Sequence, residues 1–103
     1  MRNGLIIYDT EWCWYKDDKL HRESGPAIIH KNSDSKVVEW EEWYYNGVRH
    51  RLDGPAVILY NINYNVGIYG KILNKNTWFY NNKMINCSTQ EEFDKLIKMK
   101  VFW

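Results

Sequence analysis

The chain repeats itself, and the repeat limits its fold more than any other feature. Residues 14–29 and 43–58 align without a gap at an offset of 29, and eight of the sixteen positions are identical: Trp, Tyr, His, Arg, Gly, Pro, Ala and the final Ile. In the second copy Asn46-Gly47 is the strongest local signal for a two-residue hairpin, because both central residues of a type I′ turn need φ > 0. Gly54-Pro55 is a second break: Gly reaches conformations closed to other residues, and Pro fixes φ and removes a donor at the start of the next strand. The first copy carries Asp17-Asp18 at the turn and Gly25-Pro26 at the break. Trp78-Phe79-Tyr80-Asn81-Asn82-Lys83-Met84 opens a third copy 35 residues further on, which keeps the aromatics and the turn but loses His-Arg and Gly-Pro-Ala. A hairpin of this kind cannot bury its aromatic face alone. Stacking copies side by side extends one antiparallel sheet, and a degenerate last unit covers the open end.

Alternation and turn chemistry place the other elements. Residues 5–8 and 11–15 are expected as strands, 16–19 as a tight turn with 20–22 returning from it, 27–30 as a strand and 31–35 as a polar loop. In the strand expected over 36–44, a bulge near Glu41-Glu42 would bring Trp40 and Trp43 to one face. Residues 55–60 are the most convincingly buried strand. Residues 61–65 extend it or form a loop, and 66–69 and 75–80 flank a turn at Gly70-Lys71 or a longer connection. Ser88 and Glu91 form a capping box, and Phe93, Leu96, Ile97 and Val101 recur at helical spacing, with Lys95, Lys98 and Lys100 toward the C-terminal end. The expected fold is α+β, mainly β: one domain over 1–103, a twisted antiparallel sheet of about three hairpin repeats (about 11–30, 40–60 and 76–87) and one C-terminal helix over 88–99.

Six Trp, eight Tyr and three Phe make up for few Leu, since each buried ring hides roughly 150–250 Å². The balance of 14 Lys+Arg against 13 Asp+Glu excludes a general nucleic-acid backbone binder, which needs a basic excess. Cys13 and Cys87 fall in separate repeats without zinc-site spacing, as expected of free thiols in a reducing cytosol. No signal-peptide pattern is present, and no apolar run approaches the ~20 residues of a membrane span, so the expected location is cytoplasmic. No phosphate loop, metal motif or dinucleotide fingerprint occurs, and no cofactor or metal is expected.

His21-Arg22 and His50-Arg51 are the obvious catalytic suspects, but residues that recur at one place in each unit usually hold the unit together. Each Arg could stack on a Trp or Tyr ring, a contact of about 0.5–2 kcal/mol, and each His could satisfy a carbonyl at the Gly-Pro break. The functional alternative is a row of cationic donors suited to a phosphate or carboxylate. Glu39, Glu41 and Glu42, with Glu11, form either an acidic pair or a solvated strand face. Trp12, Trp40 and Trp78 are core or a stacking platform. What the copies do not share, Glu39 to Glu42 and the segment 60–75, is the better place to search for function. The candidate binding residues are therefore His21, Arg22, His50, Arg51, Trp40, Glu41 and Tyr64.

The motif from Trp43 to Ala56, Trp-Tyr-x-Asn-Gly-x-x-His-Arg-x-Asp-Gly-Pro-Ala, resembles the short β-hairpin repeat of proteins from tailed bacteriophages and large DNA viruses. That repeat is related in style to MORN repeats and to YwqK-type antitoxin repeats. The closing Ser88-Thr89-x-Glu91-Glu92-Phe93 and short helix are similar to how such phage proteins end. The resemblance covers residues 11–60 well and 76–98 loosely; the first copy departs from it at Asp17-Asp18 and Ser24, and 60–75 has no counterpart. It implies a viral, non-enzymatic binding protein in the host cytoplasm that blocks or sequesters a host factor, most concretely an inhibitor of a bacterial defence system. The alternative is a protein that binds or sequesters a small nucleotide signal. A host protein is the expected partner, with homo-oligomers through sheet edges as a further option.

Overall fold

Three left-handed turns organise the backbone. φ is positive at Asp17 and Asp18 (50° and 68°), Asn46 and Gly47 (50° and 82°), and Asn81 and Asn82 (47° and 68°). This is the type I′ requirement, whose twist matches that of the flanking strands. The computed structural model describes residues 1–60 and 75–99. Expectations placed on 61–74, Tyr64 among them, and on Lys100 and Val101 lie outside the described residues. The elements are β1 (Gly4–Ile7), β2 (Glu11–Lys16), β3 (Lys19–Leu20), β4 (Ile28–Lys31), β5 (Val38–Glu42), β6 (Tyr44–Tyr45), β7 (Val48–Arg49), β8 (Val57–Leu59), β9 (Lys75–Tyr80), β10 (Lys83–Ile85) and α1 (Gln90–Met99). The strands form one antiparallel sheet in the order β1-β2-β4-β5-β8-β9-β10, with β3 on β2 and β6-β7 as a separate pair. The protein is thus mainly β with a C-terminal helix.

The copies lock together through a row of side chains across the sheet. Leu5 pairs with Trp14, and Trp78 with Ile85. Between them, the N–H of Trp14 donates to Ala27 O (2.8 Å), Ala27 to Glu42 O (2.8 Å), Trp43 to Ala56 O (2.7 Å) and Ala56 to Thr77 O (2.9 Å). The strand registers, extended by one residue, align Trp14, Ala27, Trp43, Ala56 and Trp78. Large and small alternate, and both alanines are fully buried. Anything larger there would overpack against the indoles.

Each indole has a lid. The guanidinium carbon of Arg22 lies 3.8 Å from the Trp14 ring centroid, and that of Arg51 lies 3.7 Å from Trp43. The third unit has no such Arg, and α1 covers Trp78 instead. Trp78, Ile85 and Phe93 form the buried cluster, with Leu96 and Ile97 packed against it, and Trp78 Nε1 donates to Gln90 Oε1 at 2.7 Å. The arginines reach their rings by crossing the glycines of the breaks, where they donate to Pro26 O and Pro55 O at 3.2 and 3.1 Å. A Cβ on Gly54 would stand 2.5 Å from Arg51 Cζ. Gly54→Ala therefore displaces the guanidinium and is expected to cost about 1–3 kcal/mol in urea unfolding through the lost stacking and hydrogen bonds. Adding Arg51→Ala in that background is expected to cost little more, because the lid is already gone.

Two local expectations shift. Glu41 and Glu42 keep unbroken register on both sides, and the irregularity falls between His30 and Lys31, opposite Trp40 and Val38, so Glu39 is the extra residue. Trp40 and Trp43 consequently stand on opposite faces. The cause lies in the preceding loop. Asn32 Oδ1 accepts the N–H of Asp34 and of Ser35 and Lys36 is left-handed (φ 64°), so the odd residue is absorbed where β5 leaves that turn. The helix cap also moves by one. Thr89 Oγ1 accepts the Glu92 N–H at 3.1 Å, and Glu92 Oε1 accepts the Ser88 N–H at 3.0 Å. Thr89 and Glu92 have the same spacing as Ser88 and Glu91 and do the capping in their place.

Candidate functional site

The two histidines of the repeat join each unit to the next. His21 Nδ1 accepts the Asn46 N–H at 2.9 Å, and His50 Nδ1 accepts the Asn81 N–H at 3.0 Å. Beside them, the Gly47 N–H donates to Leu20 O (2.7 Å) and the Asn82 N–H to Arg49 O (2.8 Å). The rings meet Tyr45 and Tyr80 at centroid distances of 4.6 and 5.0 Å. At the N-terminal end the same joint is made by another residue: the Asp17 N–H donates to Asn3 Oδ1 (2.9 Å) and the Asp18 N–H to Arg2 O (2.9 Å). Asn Oδ1 and His Nδ1 are the same number of bonds from Cα, so Asn3 puts an acceptor where a preceding histidine would. In the third unit buried Ile85 stands in this place. The histidines thus accept from a turn. The carbonyl at the Gly-Pro break, expected as their partner, is served by the arginines. An imidazole accepting at Nδ1 is the neutral Nε2–H tautomer, and burial pushes the His50 pKa below its ordinary value.

The structure splits the candidate residues. Arg22, His50 and Arg51 meet around a cleft of about 280 Å³ beside Trp43 and Asp53, but both guanidiniums are held as lids. Arg51 Nε also donates to Asp53 Oδ1 at 2.9 Å, which holds the Asp53 carboxyl below the ordinary range. Glu41 lies on the tryptophan-row side, where its Oε1 accepts the Tyr60 hydroxyl at 2.9 Å. Trp40 lies on the opposite side. The four glutamates do not form one acidic site. Glu11 and Glu39 flank His30, with Oε2 of Glu11 3.3 Å from Nδ1 and Oε1 of Glu39 3.1 Å from Nε2. A neutral imidazole has one N–H and can donate to only one of them. The His30 ring stacks on Trp40 at 3.8 Å and 3°.

The Trp40 side carries the larger concavity, a groove of about 490 Å³ across β5, β8, β9 and β10. Trp40, Val57, Leu59, Phe79 and Met84 line most of it, together with Thr77, Glu42 and Arg49. Leu59 is 40 % exposed and Met84 65 %. Arg49 Nη2 contacts Glu42 Oε1 at 2.5 Å and donates to the Tyr44 hydroxyl at 2.8 Å, while that hydroxyl donates to Glu42 at 3.2 Å. Its guanidinium carbon lies 4.9 Å from the Phe79 centroid. Burial alone would lower the Arg49 pKa, but Tyr44 and Glu42 raise it overall, and burial followed by the Glu42 charge raises that of Tyr44. The groove can grip apolar side chains beside a fixed charge pair.

Of this groove the sequence flagged Trp40 and, through the unshared stretch, Glu42. It missed Arg49, Leu59, Phe79 and Met84. The usable signal was a difference between copies: Glu42 and Arg49 stand where the first copy has Cys13 and Leu20. Among the described residues no helix is long and apolar enough to cross a membrane, and no cluster of His, Cys, Asp and Glu could hold a metal. Comparisons with family models, curated proteins and solved structures return no match.

Proposed function

We propose that this chain is a non-enzymatic binding protein that covers a surface of another protein, with the Trp40–Leu59–Met84 groove as its contact. The observation that carries this reading is a mainly apolar groove on the sheet face away from α1, lined also by Glu42 and Arg49 of the partly desolvated Arg49–Glu42–Tyr44 cluster. Exposed apolar patches rimmed by polar groups mark partner sites, and Arg and aromatic side chains dominate interface energies. The histidines a catalytic reading would use serve as joints between units. The resemblance of the repeat to those of phage proteins supports a partner in an infected bacterium, with an inhibitor of a host defence system as the concrete form of this proposal.

The test is site-specific photo-crosslinking in a bacterial host. A benzophenone side chain at Leu59 or Met84 is expected to capture a discrete host protein, and one at exposed Lys95 on α1 is not. Leu59→Glu, with folding confirmed by circular dichroism, is expected to weaken that complex by at least about tenfold, since a charge then enters an apolar contact. Equal capture from both faces, or a complex indifferent to Leu59→Glu, overturns the reading.

A further inference from the structure

β1 is an edge strand prepared to pair with another. It ends the strand order on one side, and among the described residues nothing pairs with its outer edge. The Tyr8 N–H donates to Glu11 O at 2.7 Å, and the register runs Ile7↔Trp12, Ile6↔Cys13, Leu5↔Trp14 and Gly4↔Tyr15. In an antiparallel ladder bonded pairs alternate, so the N–H and C=O of Leu5 and Ile7 point away from β2. Natural sheets blunt such an edge with Lys, Pro or a bulge. β10, at the other end, carries Lys83 and runs into the segment leading to α1. The sequence of β1 is Gly-Leu-Ile-Ile, without any of those devices, and its side chains stand out: Leu5 is 42 % exposed, Ile7 61 % and the following Tyr8 43 %.

We infer that β1 pairs antiparallel with β1 of a second copy of this chain, about a two-fold axis at Ile6. The strand is self-complementary in that register. Leu5 of each copy faces Ile7 of the other on the tryptophan-row side, in the hydrogen-bonded positions, which gives about four new backbone hydrogen bonds. On the other side Ile6 faces Ile6, and Tyr8 faces Gly4, where an added Cβ would meet nothing within 4 Å. Every opposed pair is apolar or fills open space, and no charge is set against a like charge. Such an isologous contact closes as a dimer. The two sheets become one, with like faces on the same side, so both copies present the Trp40 groove in one direction. A two-sided target would then be held with avidity. The pairing itself does not depend on what the groove binds.

The test is sedimentation equilibrium of the purified chain over a concentration series. The apparent mass is expected to rise from the 12.5 kDa monomer toward about twice that value. Ile7→Lys puts a charge on an exposed edge position, and it is expected to shift the dissociation constant at least about tenfold, with an unchanged circular dichroism spectrum. Ile7→Val is expected to leave dimerisation intact. In a Cys13→Ala, Cys87→Ser background, which removes the thiol opposite position 6, Ile6→Cys is expected to form a symmetric intermolecular disulfide under mild oxidation, and Lys16→Cys is not. A monomer at all concentrations overturns the inference. So does a dimer that ignores Ile7→Lys and yields no disulfide through position 6, since its contact then lies elsewhere.

Discussion

Replacing Phe93 by Ala is expected to lower folding stability by about 3–5 kcal/mol, the usual cost of deleting a buried phenyl ring. Phe93 is the one large side chain that is fully enclosed among the described residues, and Trp78 and Ile85 share its cluster. A domain of this size is stable by roughly 5–15 kcal/mol in total, so the substitution removes a large part of the margin. The loss should also be local. α1 has ten residues, shorter than the ~12–15 an isolated helix needs, and among the described residues it is held by this cluster and by Gln90, which accepts from Trp78 Nε1 and donates to Leu52 O at 2.9 Å. Phe93→Ala should therefore weaken the helical signal in far-ultraviolet circular dichroism and change Trp78 fluorescence before the sheet unfolds. Phe93→Leu keeps most of the apolar volume and is expected to cost about half as much or less. A loss below about 1 kcal/mol for Phe93→Ala would mean that α1 is not the lid of the third indole.

That lid shows which parts of this protein are legible in its sequence. The turns were legible because their chemistry is local: Asn46-Gly47 needs nothing beyond itself to favour φ > 0. The stacking of Arg22 and Arg51 on indoles was legible because a residue repeated beside a repeated tryptophan points to scaffold. The joint between units was not. His21 meets Asn46, and His50 meets Asn81, contacts 25 and 31 residues apart that no spacing within one copy reveals. Asn3 had no reason to stand out until its Oδ1 was seen doing the work of a histidine ring. The place of the bulge was lost for the opposite reason. Periodicity over 36–44 registers one odd residue but not where it sits, and the Asn32 loop decides that. The groove is the least legible part, because Arg49, Leu59 and Met84 come from three strands. Only register brings them together, and one residue of slip would move each to the other face.

The histidine joints give the second large prediction. His50→Ala hands the exposed Asn81 N–H back to water and removes one intramolecular hydrogen bond together with the ring contact to Tyr80, a loss of about 0.5–1.5 kcal/mol. His21→Ala does the same for Asn46. Both joints clamp the second unit, so the double variant is expected to fall short of the sum of the two losses. His50→Asn is the informative replacement, since Asn3 already makes this joint to Asp17 at 2.9 Å. It is expected to keep most of the stability and to change its pH dependence. Burial lowers the His50 pKa below 6.5 in the folded chain, so the unfolded chain takes up this proton first as pH falls. The His50 contribution is therefore complete above about pH 6.5 and declines below it, until the folded pKa is reached. Protonation at Nδ1 would also set a donor against the Asn81 N–H and open the joint. Asp18 and Asp53, whose pKa values are lowered by their arginine partners, lose their contributions only at lower pH, below about 4. The window from about pH 5 to 6.5 thus separates imidazole from these carboxylates, and the comparison with His50→Asn singles out this ring among the three histidines. Urea midpoints measured across it should fall more steeply for the natural chain than for His50→Asn. Parallel slopes would mean that the ring does not titrate at the joint, and that what repeats at this position is an acceptor of fixed charge.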